Sequence, residues 1–390
     1  MTYRIALALL LFAATAQAER IIQPTNDTEL AQALRNLKAG DTIQLGEGPY
    51  KANFFLKDIQ GNVGNPIRII GPAEKRRAKL ISTSSAFHLA KANFVTFENL
   101  HITGAASNAI NVDDGGDTQN FPNVSTNITF RNLLIENTGP KGTANAIKLA
   151  GVAHFEIDHC TFQNWGEDGG CAIDCVGVAE GLVRNCTFLP GRGSVAVQFK
   201  GGSYNILIEN NFFNDAGSRA INAGGSTGEK FFRPNPAAPP RFEAKNITIE
   251  RNLFVGSDAP LCFVGIDGGT ARFNTIYHPR KWAIRILQET VRDDFVPSRN
   301  VTIENNLIVF RSTQWFEGGL NIGPNTAPKT FTFTRNAWFC TDKPTQSKPT
   351  LPTPEKEGTY GTDPLFVDPA KNDFSLRKDS PLQKVGHTAR

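Results

Sequence analysis

The sequence has few of the features that mark membrane, nucleic-acid-binding or cysteine-rich proteins. After the first 18 residues no apolar run reaches the length of a membrane span. No Lys/Arg run of the nucleic-acid-binding type is present, although the formal net charge is +4. The six cysteines are too sparse for a disulfide-stapled scaffold, and no His/Cys cluster has zinc-site spacing. These absences exclude an integral membrane protein, a nucleic-acid-binding protein and a small disulfide-rich domain.

The first 18 residues have the pattern of a secretory signal peptide. Arg4 supplies a positive start, residues 5–14 are almost wholly apolar, and residues 16–18 (Ala-Gln-Ala) form a small-residue cleavage site. We therefore expect cleavage before Glu19. The mature protein is expected to be secreted, free of the membrane and monomeric.

A short motif recurs along the mature chain. Each copy is an alternating strand rich in Val, Ile, Phe and Thr, then a turn residue, then a second short strand, as in NITFRNLLI (127–135). The turn position holds Asn99, Asn132, His159, Asn185, Asn210, Asn252, Asn274, Asn305 and Asn336. Asn tolerates the left-handed backbone of a sharp turn, and stacked amides can hydrogen-bond to each other. We predict that these asparagines stack along one edge of a solenoid whose inserts vary in length.

A second column follows each copy of the first, as in AINVD (109–113) and AIKLA (146–150). Alternation predicts an inward stack of Ile110, Ile147, Ile173, Val197, Ile221 and Ile284. It predicts an outward stack of His88, Asn111, Lys148, Asp174, Gln198, Asn222, Arg285 and Asn321. The coil at 260–269 fits less well. We expect Gly265 or Val264 in its outward place, with Asp267 further along.

These repeats predict an all-β fold, a right-handed parallel β-helix with loops on one edge. The leucine pattern of leucine-rich repeats is absent, and so are the hairpin turns of a β-propeller. Cys160 and Cys186 fall in one column of adjacent coils, close enough for a disulfide or a stack of thiols. We expect a single domain over residues 19–390.

Both ends of the predicted solenoid carry closing segments. The cap at about 19–50 contains helical spacing in Leu30, Ala33, Leu34 and Leu37, which predicts a short amphipathic helix over the exposed strand edges. Residues 341–362 are rich in Pro, Lys and Thr, and the segment from about 341 to 390 is expected to close the other end.

The whole pattern resembles bacterial secreted right-handed β-helix repeat proteins. The opening LAQALRNLKAGDTIQLGEGPY (30–50), the Asn-bearing coils and the closing DPLFVDPAKNDFSLRKDSPL (363–382) carry the resemblance over nearly the whole mature chain. Within that group the sequence resembles the chondroitinase-B-like and alginate-lyase-like polysaccharide lyases of family six. The resemblance implies a uronate-containing extracellular polysaccharide as substrate, cleaved by β-elimination.

The resemblance also implies a catalytic pair. In those lyases a Lys base and an Arg on the next coil carry out the proton transfers, and a calcium ion binds the substrate carboxylate. Lys200 and Arg219 match the pair, with Asp174 beside them in the outward column. The Glu-x-Glu calcium ligands of the lyases have no counterpart in residues 190–199. The cofactor is therefore undetermined, and an arginine would have to neutralise the carboxylate.

Three long inserts, at 112–126, 224–245 and 286–299, follow the outward column and are expected on one edge of the solenoid. The proline-rich second insert carries Phe231, Phe232, Arg233 and Phe242, which either bind sugar or pack on the coils. The substrate-binding candidates are Asn222, Gln198, Lys148, Asn111, Arg233, His278 and Arg285.

Two other functions are consistent with the sequence. A polygalacturonase-like hydrolase would use paired carboxylates, and the candidates are Asp113, Asp114, Asp117, Glu167, Asp168, Asp174 and Asp267. The Gly-His-Gly motif of such hydrolases is absent, and Asp and Gly in NVDDGGD (111–117) are also usual turn residues. The third alternative is a non-catalytic carbohydrate-binding or adhesion solenoid.

Overall fold

The computed structural model describes residues 19–72, 76–139 and 143–389. The predicted signal peptide, residues 1–18, lies outside the described residues. Three long parallel sheets, named A, B and C, wind into a right-handed β-helix, as predicted from the repeats. In the described part of the chain no helix has the length and apolar composition needed to cross a membrane.

From Asp41–Gln44 to Leu320–Ile322, each coil contributes one strand to each sheet in the order A, B, C. Sheet A contains Arg20–Ile22, Asp41–Gln44, Ile67–Ile70, Asn93–Glu98, Ser125–Arg131, Val152–Asp158, Ala179–Arg184, Ser203–Glu209, Ala244–Glu250, Ile266–Arg272, Arg299–Glu304 and Thr332–Thr334. Sheet B contains Tyr50–Lys51, Ala78–Ile81, Leu100–Thr103, Leu134–Thr138, Thr161–Trp165, Thr187–Phe188, Phe212–Asn214, Leu253–Val255, Thr275–Tyr277, Leu307–Phe310, Ala337–Cys340 and Thr359–Tyr360. Sheet C contains Phe54–Lys57, Phe87–Ala90, Ile110–Asp113, Ile147–Ala150, Glu167–Val176, Arg192–Lys200, Arg219–Gly224, Ala259–Val264, Ile284–Leu287 and Leu320–Ile322.

The remaining elements are short. The strands Phe366–Asp368 and Asp373–Leu376 form an antiparallel pair. One α-helix spans Asp27–Arg35. Single 3-10 turns occur at Glu229–Phe231, Ser312–Gln314, Phe316–Gly319, Pro328–Thr330, Pro344–Gln346 and Pro369–Lys371.

The inward stack of sheet C is confirmed. Ile110 pairs with Ile147, which pairs with Ile173, and the stack continues through Val197 and Ile221. All five side chains are fully buried. Burying one such side chain contributes roughly 1.5–3 kcal/mol, and stacking lets every coil cover the apolar atoms of its neighbours. Because strand residues alternate between faces, this stack determines which residues of sheet C point outward.

The predicted Asn column lies on the expected edge of the solenoid. The prediction is wrong for three of its asparagines, which come one residue after the turn position. At the turn from sheet A to sheet B, a positive φ is found at Asn99, Asn132, His159, Asn185, Asn210 and Asn305. In three other coils that left-handed position is held by Arg251, Phe273 and Arg335. The asparagines of those coils, Asn252, Asn274 and Asn336, come one residue later and are fully buried. The strand motif alone does not distinguish these two adjacent positions.

The three displaced asparagines join Asn211 and Asn306 in a buried ladder. The ladder members on consecutive coils are Asn211, Asn252, Asn274, Asn306 and Asn336, and each Nδ2 donates a hydrogen bond of 2.9–3.1 Å to the Oδ1 of the next. A buried amide needs partners, and here the neighbouring coils supply most of them, with Glu250 O and Glu304 O added from the same coil. The ladder ends where Asn336 Nδ2 donates to Glu355 Oε1 at 2.8 Å.

Cys160 and Cys186 occupy the coil position that the Asn ladder holds further along. Both are buried free thiols, so the structure has a thiol stack and no disulfide at this place. The backbone N–H of Cys186 donates to Asn211 Oδ1 at 2.9 Å, which joins the two parts of the column. Burial raises the pKa of the Cys186 thiol well above its usual range.

The predicted N-terminal cap is the helix Asp27–Arg35. Asn26 caps it, because the Asn26 side chain accepts the N–H of Glu29 at 3.0 Å. Leu30 and Leu34 are buried in the core of the first coils. The helix therefore shields the apolar interior at the first coils.

The predicted C-terminal closing segment has two parts. Residues 341–362 follow the last coil, where Trp338 Nε1 and the Tyr360 hydroxyl both donate to Glu355 at 2.9 Å. Residues 363–389 instead fold back along the outer face of sheet B. There Phe366 and Phe374 pack in one cluster with the outward side chains of five sheet B strands.

Stability is expected to fall in mild acid because of His387. Its Nδ1 lies 2.8 Å from Thr275 Oγ1, and burial lowers the pKa of His387 from about 6.5 to about 4. Between these values the unfolded chain binds more protons than the folded one. The free energy of unfolding should therefore decrease by up to about 3 kcal/mol as the pH falls from 6.5 to 4. Above pH 6.5 the buried neutral His387 should contribute its full stabilisation.

The measurement is urea unfolding of wild type and His387→Gln at several pH values. The difference between the two proteins should change across this window and be constant above it. Parallel pH profiles for the two proteins would contradict the assignment.

Candidate functional site

The outward residues of sheet C form one continuous column. Strand register places in it Phe55, His88, Asn111, Lys148, Asp174, Gln198, Asn222, Cys262, Arg285 and Asn321. We call this surface the sheet C face. The predicted column is confirmed except in the coil Ala259–Val264, where Cys262 and not Gly265 or Val264 takes the outward place. That strand is apolar on both sides, so no polar residue marks the outward position in the sequence. Asp267 belongs to sheet A and pairs with Arg299 at 2.8 Å.

A carboxylate between two ammonium groups lies at the centre of this face. Asp174 forms an ion pair with Lys148 on the preceding coil, and Lys200 Nζ lies 4.0 Å from Asp174 Oδ1 on the following coil. The side chain of Asp174 is only 10% exposed and each lysine side chain 21%. Among the described residues Asp174 Oδ1 has no hydrogen-bond partner. The cluster is sheltered enough for its charges to interact more strongly than on an open surface.

Lys200 is the last residue of its strand, and the chain turns away behind it. Gly201 has a positive φ of 66°, and its N–H donates to the buried Glu243 carboxylate at 2.9 Å. A Cβ on Gly225 would lie 3.2 Å from Lys200 Cδ and 2.7 Å from Gln198 Nε2. The glycine at 225 therefore lets the next coil pack closely against the lysine stem.

Arg219 lies on the same face and on the next coil, but it does not contact Lys200. It pairs with Val195 across the sheet, five positions before Lys200, which separates the two backbones by about 16 Å along the strand. The Arg219 side chain runs along the strand, so that Nη1 lies 3.2 Å from Asn222 Oδ1 and 3.0 Å from Glu289 Oε1. The guanidinium is thus brought back to the outward column, where Glu289 neutralises it.

The three predicted inserts do follow sheet C strands and lie together along one edge. The Arg233 guanidinium, 8% exposed, pairs with the buried Asp114 carboxylate. The N–H of Asn235 donates to Thr118 O at 3.1 Å, and the N–H of Arg241 donates to Asp294 O at 2.7 Å. These contacts join the inserts into a wall beside the strand ends.

The structure does not support the predicted substrate-binding role of Arg233. Its Nη1 also donates to the Phe231 carbonyl at 2.8 Å, so the guanidinium is used within the protein. Phe232 is 2% exposed and packs against Phe295, whereas Phe231 is 51% exposed. Asp114 becomes the counter-ion of Arg233 only because two inserts pack together, so the sequence alone does not reveal this pair.

His278 also lies apart from the central cluster. It follows the sheet B strand Thr275–Tyr277, where its ring stacks on Tyr277 with 3.8 Å between centroids. Burial, reinforced by Arg311, lowers the pKa of His278 to about 4. His278 therefore lies beside sheet B and not on the sheet C face.

Asn111 does lie on the sheet C face. Its Nδ2 donates to Asp113 Oδ2 at 2.9 Å, and His88 Nε2 lies 2.6 Å from the same oxygen. The Asp113 carboxylate is therefore already held by two side chains. Asn222 and Gln198 both face the Gly224 carbonyl, at 3.2 and 3.4 Å.

Arg285 is placed as predicted, and a residue missed by the sequence reasoning lies beneath it. The Arg285 guanidinium lies 4.9 Å from the centroid of the Trp282 ring. A signal for Trp282 did exist, because it precedes an Ala-Ile pair as Arg219 does. Glu289, by contrast, lies on the insert at 286–299, so the coil repeat does not predict its position on the sheet C face.

The central cluster does not fit a calcium ion. Calcium prefers several oxygen ligands, whereas Asp174 is flanked by two ammonium groups that would repel a cation. Within the described ranges no group of three or more His, Cys, Asp or Glu residues is arranged to hold a metal ion.

The three parallel sheets and the polar column along one of them define the chain as a right-handed parallel β-helix. A family model described as right handed beta helix region matches residues 85–233. No curated protein matches the chain.

Solved structures with a similar fold include carbohydrate-active enzymes. Pectate lyase Pel9A has a TM-score of 0.59 and 14% identity, over 95% of this chain and 92% of its own. The PL6 family alginate lyase AlyGC has a TM-score of 0.56 and 14% identity over 94% of this chain, which spans only 56% of that enzyme. The GH136 lacto-N-biosidase from Eubacterium ramulus has a TM-score of 0.53 and 11% identity, over 86% of this chain and 64% of its own. At these identities the likeness shows the fold alone.

Proposed function

We propose that the protein is a polysaccharide lyase that cleaves a uronate-containing polymer by β-elimination on the sheet C face. The observation that carries the proposal is the cluster of Lys148, Asp174 and Lys200 at the centre of that face, with Arg219 on the next coil. A cationic surface suits an anionic polymer, and the fold is that of an alginate lyase and a pectate lyase.

The chemistry assigns Lys200 as the base. Once its ammonium has released a proton to solvent, the Lys200 amine removes the C5 proton of a uronate, the C4–O bond breaks and a C4=C5 double bond forms. The resulting ammonium then protonates the departing oxygen, so no net proton is gained or lost. Arg219 balances the substrate carboxylate, whose charge grows as the proton leaves, and Asp174 positions both lysines. Arg219 must exchange its Glu289 partner for the substrate, which is feasible because Glu289 is on an insert and 35% exposed.

The acids that a hydrolase would need are largely engaged. Asp114 is buried against Arg233, and Asp113 is held by His88. Among the described residues, the ion-pair partners of Asp174 are two lysines and no acid shares its site. This arrangement lacks the free second carboxylate of a glycoside hydrolase.

The test is a substrate screen across alginate, pectate, chondroitin and heparin-type polymers. We expect one or more to yield the ultraviolet absorbance of a double bond conjugated with a carboxylate. New reducing ends without that absorbance would replace the lyase by a hydrolase. Binding with neither signal would favour the non-catalytic carbohydrate-binding or adhesion solenoid. We further propose that the protein acts as a secreted monomer on an extracellular polysaccharide, in keeping with its predicted signal peptide.

A further inference from the structure

A second cationic site lies on the sheet C face, four strands beyond Asp174. Arg285 is held there from two directions: it stacks on Trp282, and its Nε donates to Asn321 Oδ1 at 2.8 Å. Trp282 in turn packs on the buried Cys262. Four strand spacings correspond to about 19 Å, so this site is well separated from the central cluster.

The terminal nitrogens of Arg285 have no protein partner among the described residues, in which its one side-chain hydrogen bond is through Nε. Nearby arginines differ, because Arg219 pairs with Glu289 and Arg280 with Asp258. A guanidinium that is already fixed loses little freedom when both terminal nitrogens bind a carboxylate. The environment of Arg285 is therefore organised for a planar anion, since no described residue pairs with its terminal nitrogens and Glu317 bonds to the other end of the Asn321 amide.

Phe316 adds an exposed apolar surface next to Trp282, the ring on which this arginine stacks. Its ring is 51% exposed, and its centroid lies 6.3 Å from that of Trp282. The N–H of Phe316 donates to the Lys281 carbonyl at 3.0 Å, which holds the aromatic residue against the segment that carries Trp282 and leads into the strand of Arg285. An exposed ring beside an unpaired guanidinium matches the two faces of an acidic sugar, one apolar and one charged.

We propose that Arg285, Trp282 and Phe316 form a distal subsite for one uronate unit of the polymer. Arg285 binds the carboxylate, Phe316 packs against the sugar ring, and Trp282 positions the guanidinium. The inference rests on the proposed function in one respect, namely that the polymer runs along the sheet C face through the central cluster. Lys200 is three strands from Arg285, so the bound polymer extends at least about 14 Å to one side of Lys200. A disaccharide cannot span that distance.

The experiment measures binding without cleavage, in a Lys200→Ala background, by calorimetry with alginate- and pectate-derived oligouronates of defined length. Arg285→Gln should weaken binding of long oligouronates about tenfold or more, because charged hydrogen bonds are lost. It should leave disaccharide binding unchanged. Phe316→Ala should weaken long oligomers with or without their carboxylates, whereas Arg285→Gln should have no effect on carboxyl-reduced oligomers.

The matched control is Arg251→Gln, because Arg251 also stacks on an aromatic ring, at 5.2 Å from Phe273, but lies away from the sheet C face. This control should bind oligouronates as the background does. Equal losses for short and long oligomers, no loss with Arg285→Gln, or no oligouronate binding at all would each overturn the subsite. If no polymer is cleaved by the wild type, yet long oligouronates bind through Arg285, the proposed lyase activity fails while the subsite stands.

Discussion

Lys200→Ala is expected to reduce turnover at least about 100-fold, since a positioned general base contributes at least that factor. The variant should remain folded. Asp174 keeps its ion pair with Lys148, and a partly exposed pair at 4.0 Å contributes little, so the free energy of unfolding should change by no more than about 1 kcal/mol. Turnover is measured by the ultraviolet absorbance of the unsaturated product, and stability by urea unfolding.

Two further variants separate a base from a mere positive charge. Lys200→Arg keeps the charge but cannot give up its proton at neutral pH, so it should be as inactive as the alanine variant. Lys245→Ala removes an exposed lysine from sheet A and should retain full activity. An active Lys200→Arg enzyme would show that the lysine acts only through its charge, and an active Lys200→Ala enzyme would remove it from the site.

Asp114→Asn is expected to lower the free energy of unfolding by about 3–5 kcal/mol, because it leaves the Arg233 guanidinium buried and unpaired. The two side chains are 1% and 8% exposed. The arginine is closely packed: a Cβ on Gly177 would lie only 2.3 Å from Arg233 Cγ. Since this pair connects two of the inserts, limited proteolysis within 225–243 should also become faster. Urea unfolding measures the change in the free energy of unfolding, and timed digestion measures the opening of the insert.

The control is the ion pair between Glu167 and Arg192, whose side chains are 34% and 66% exposed at a distance of 3.0 Å. Glu167→Gln should cost no more than about 1 kcal/mol, because solvent screens that pair. If Asp114→Asn costs as little, or if Arg233→Met changes substrate affinity without changing stability, then Arg233 belongs to the binding surface and not to the wall of inserts.

The sequence predicted the centre of the candidate site well, and the reason is local. A strand alternates its side chains, so once Ile147, Ile173 and Val197 are assigned inward, Lys148, Asp174 and Gln198 must point outward. Parallel pairing then stacks equivalent positions of successive coils. Prediction failed in the coil at 259–264, where apolar residues on both sides concealed the outward place of Cys262.

The rest depended on contacts between segments far apart in the chain. Arg233 and Asp114 are 119 residues apart, and Glu289 is 70 residues from Arg219. No periodicity relates an insert to the coil on which it packs. The repeat does not predict the place of Phe316 either. This residue lies in a turn after a sheet B strand, and only the fold brings its ring beside Trp282.

By itself the sequence determined the solenoid, its inward apolar stack and the outward column, because these follow from a two-residue alternation repeated on every coil. Only the tertiary structure decided which asparagines line the turn and which form the buried ladder, since a shift of one residue exchanges an exposed position for a buried one. It also decided which arginines are free for a ligand. Arg233 is used inside the protein, Arg219 is shared with Glu289, and Arg285 is left with both terminal nitrogens unpaired among the described residues. The physical reason is that an arginine is free to bind a ligand only if packing brings no carboxylate to it. Those carboxylates lie on inserts that are distant in the chain.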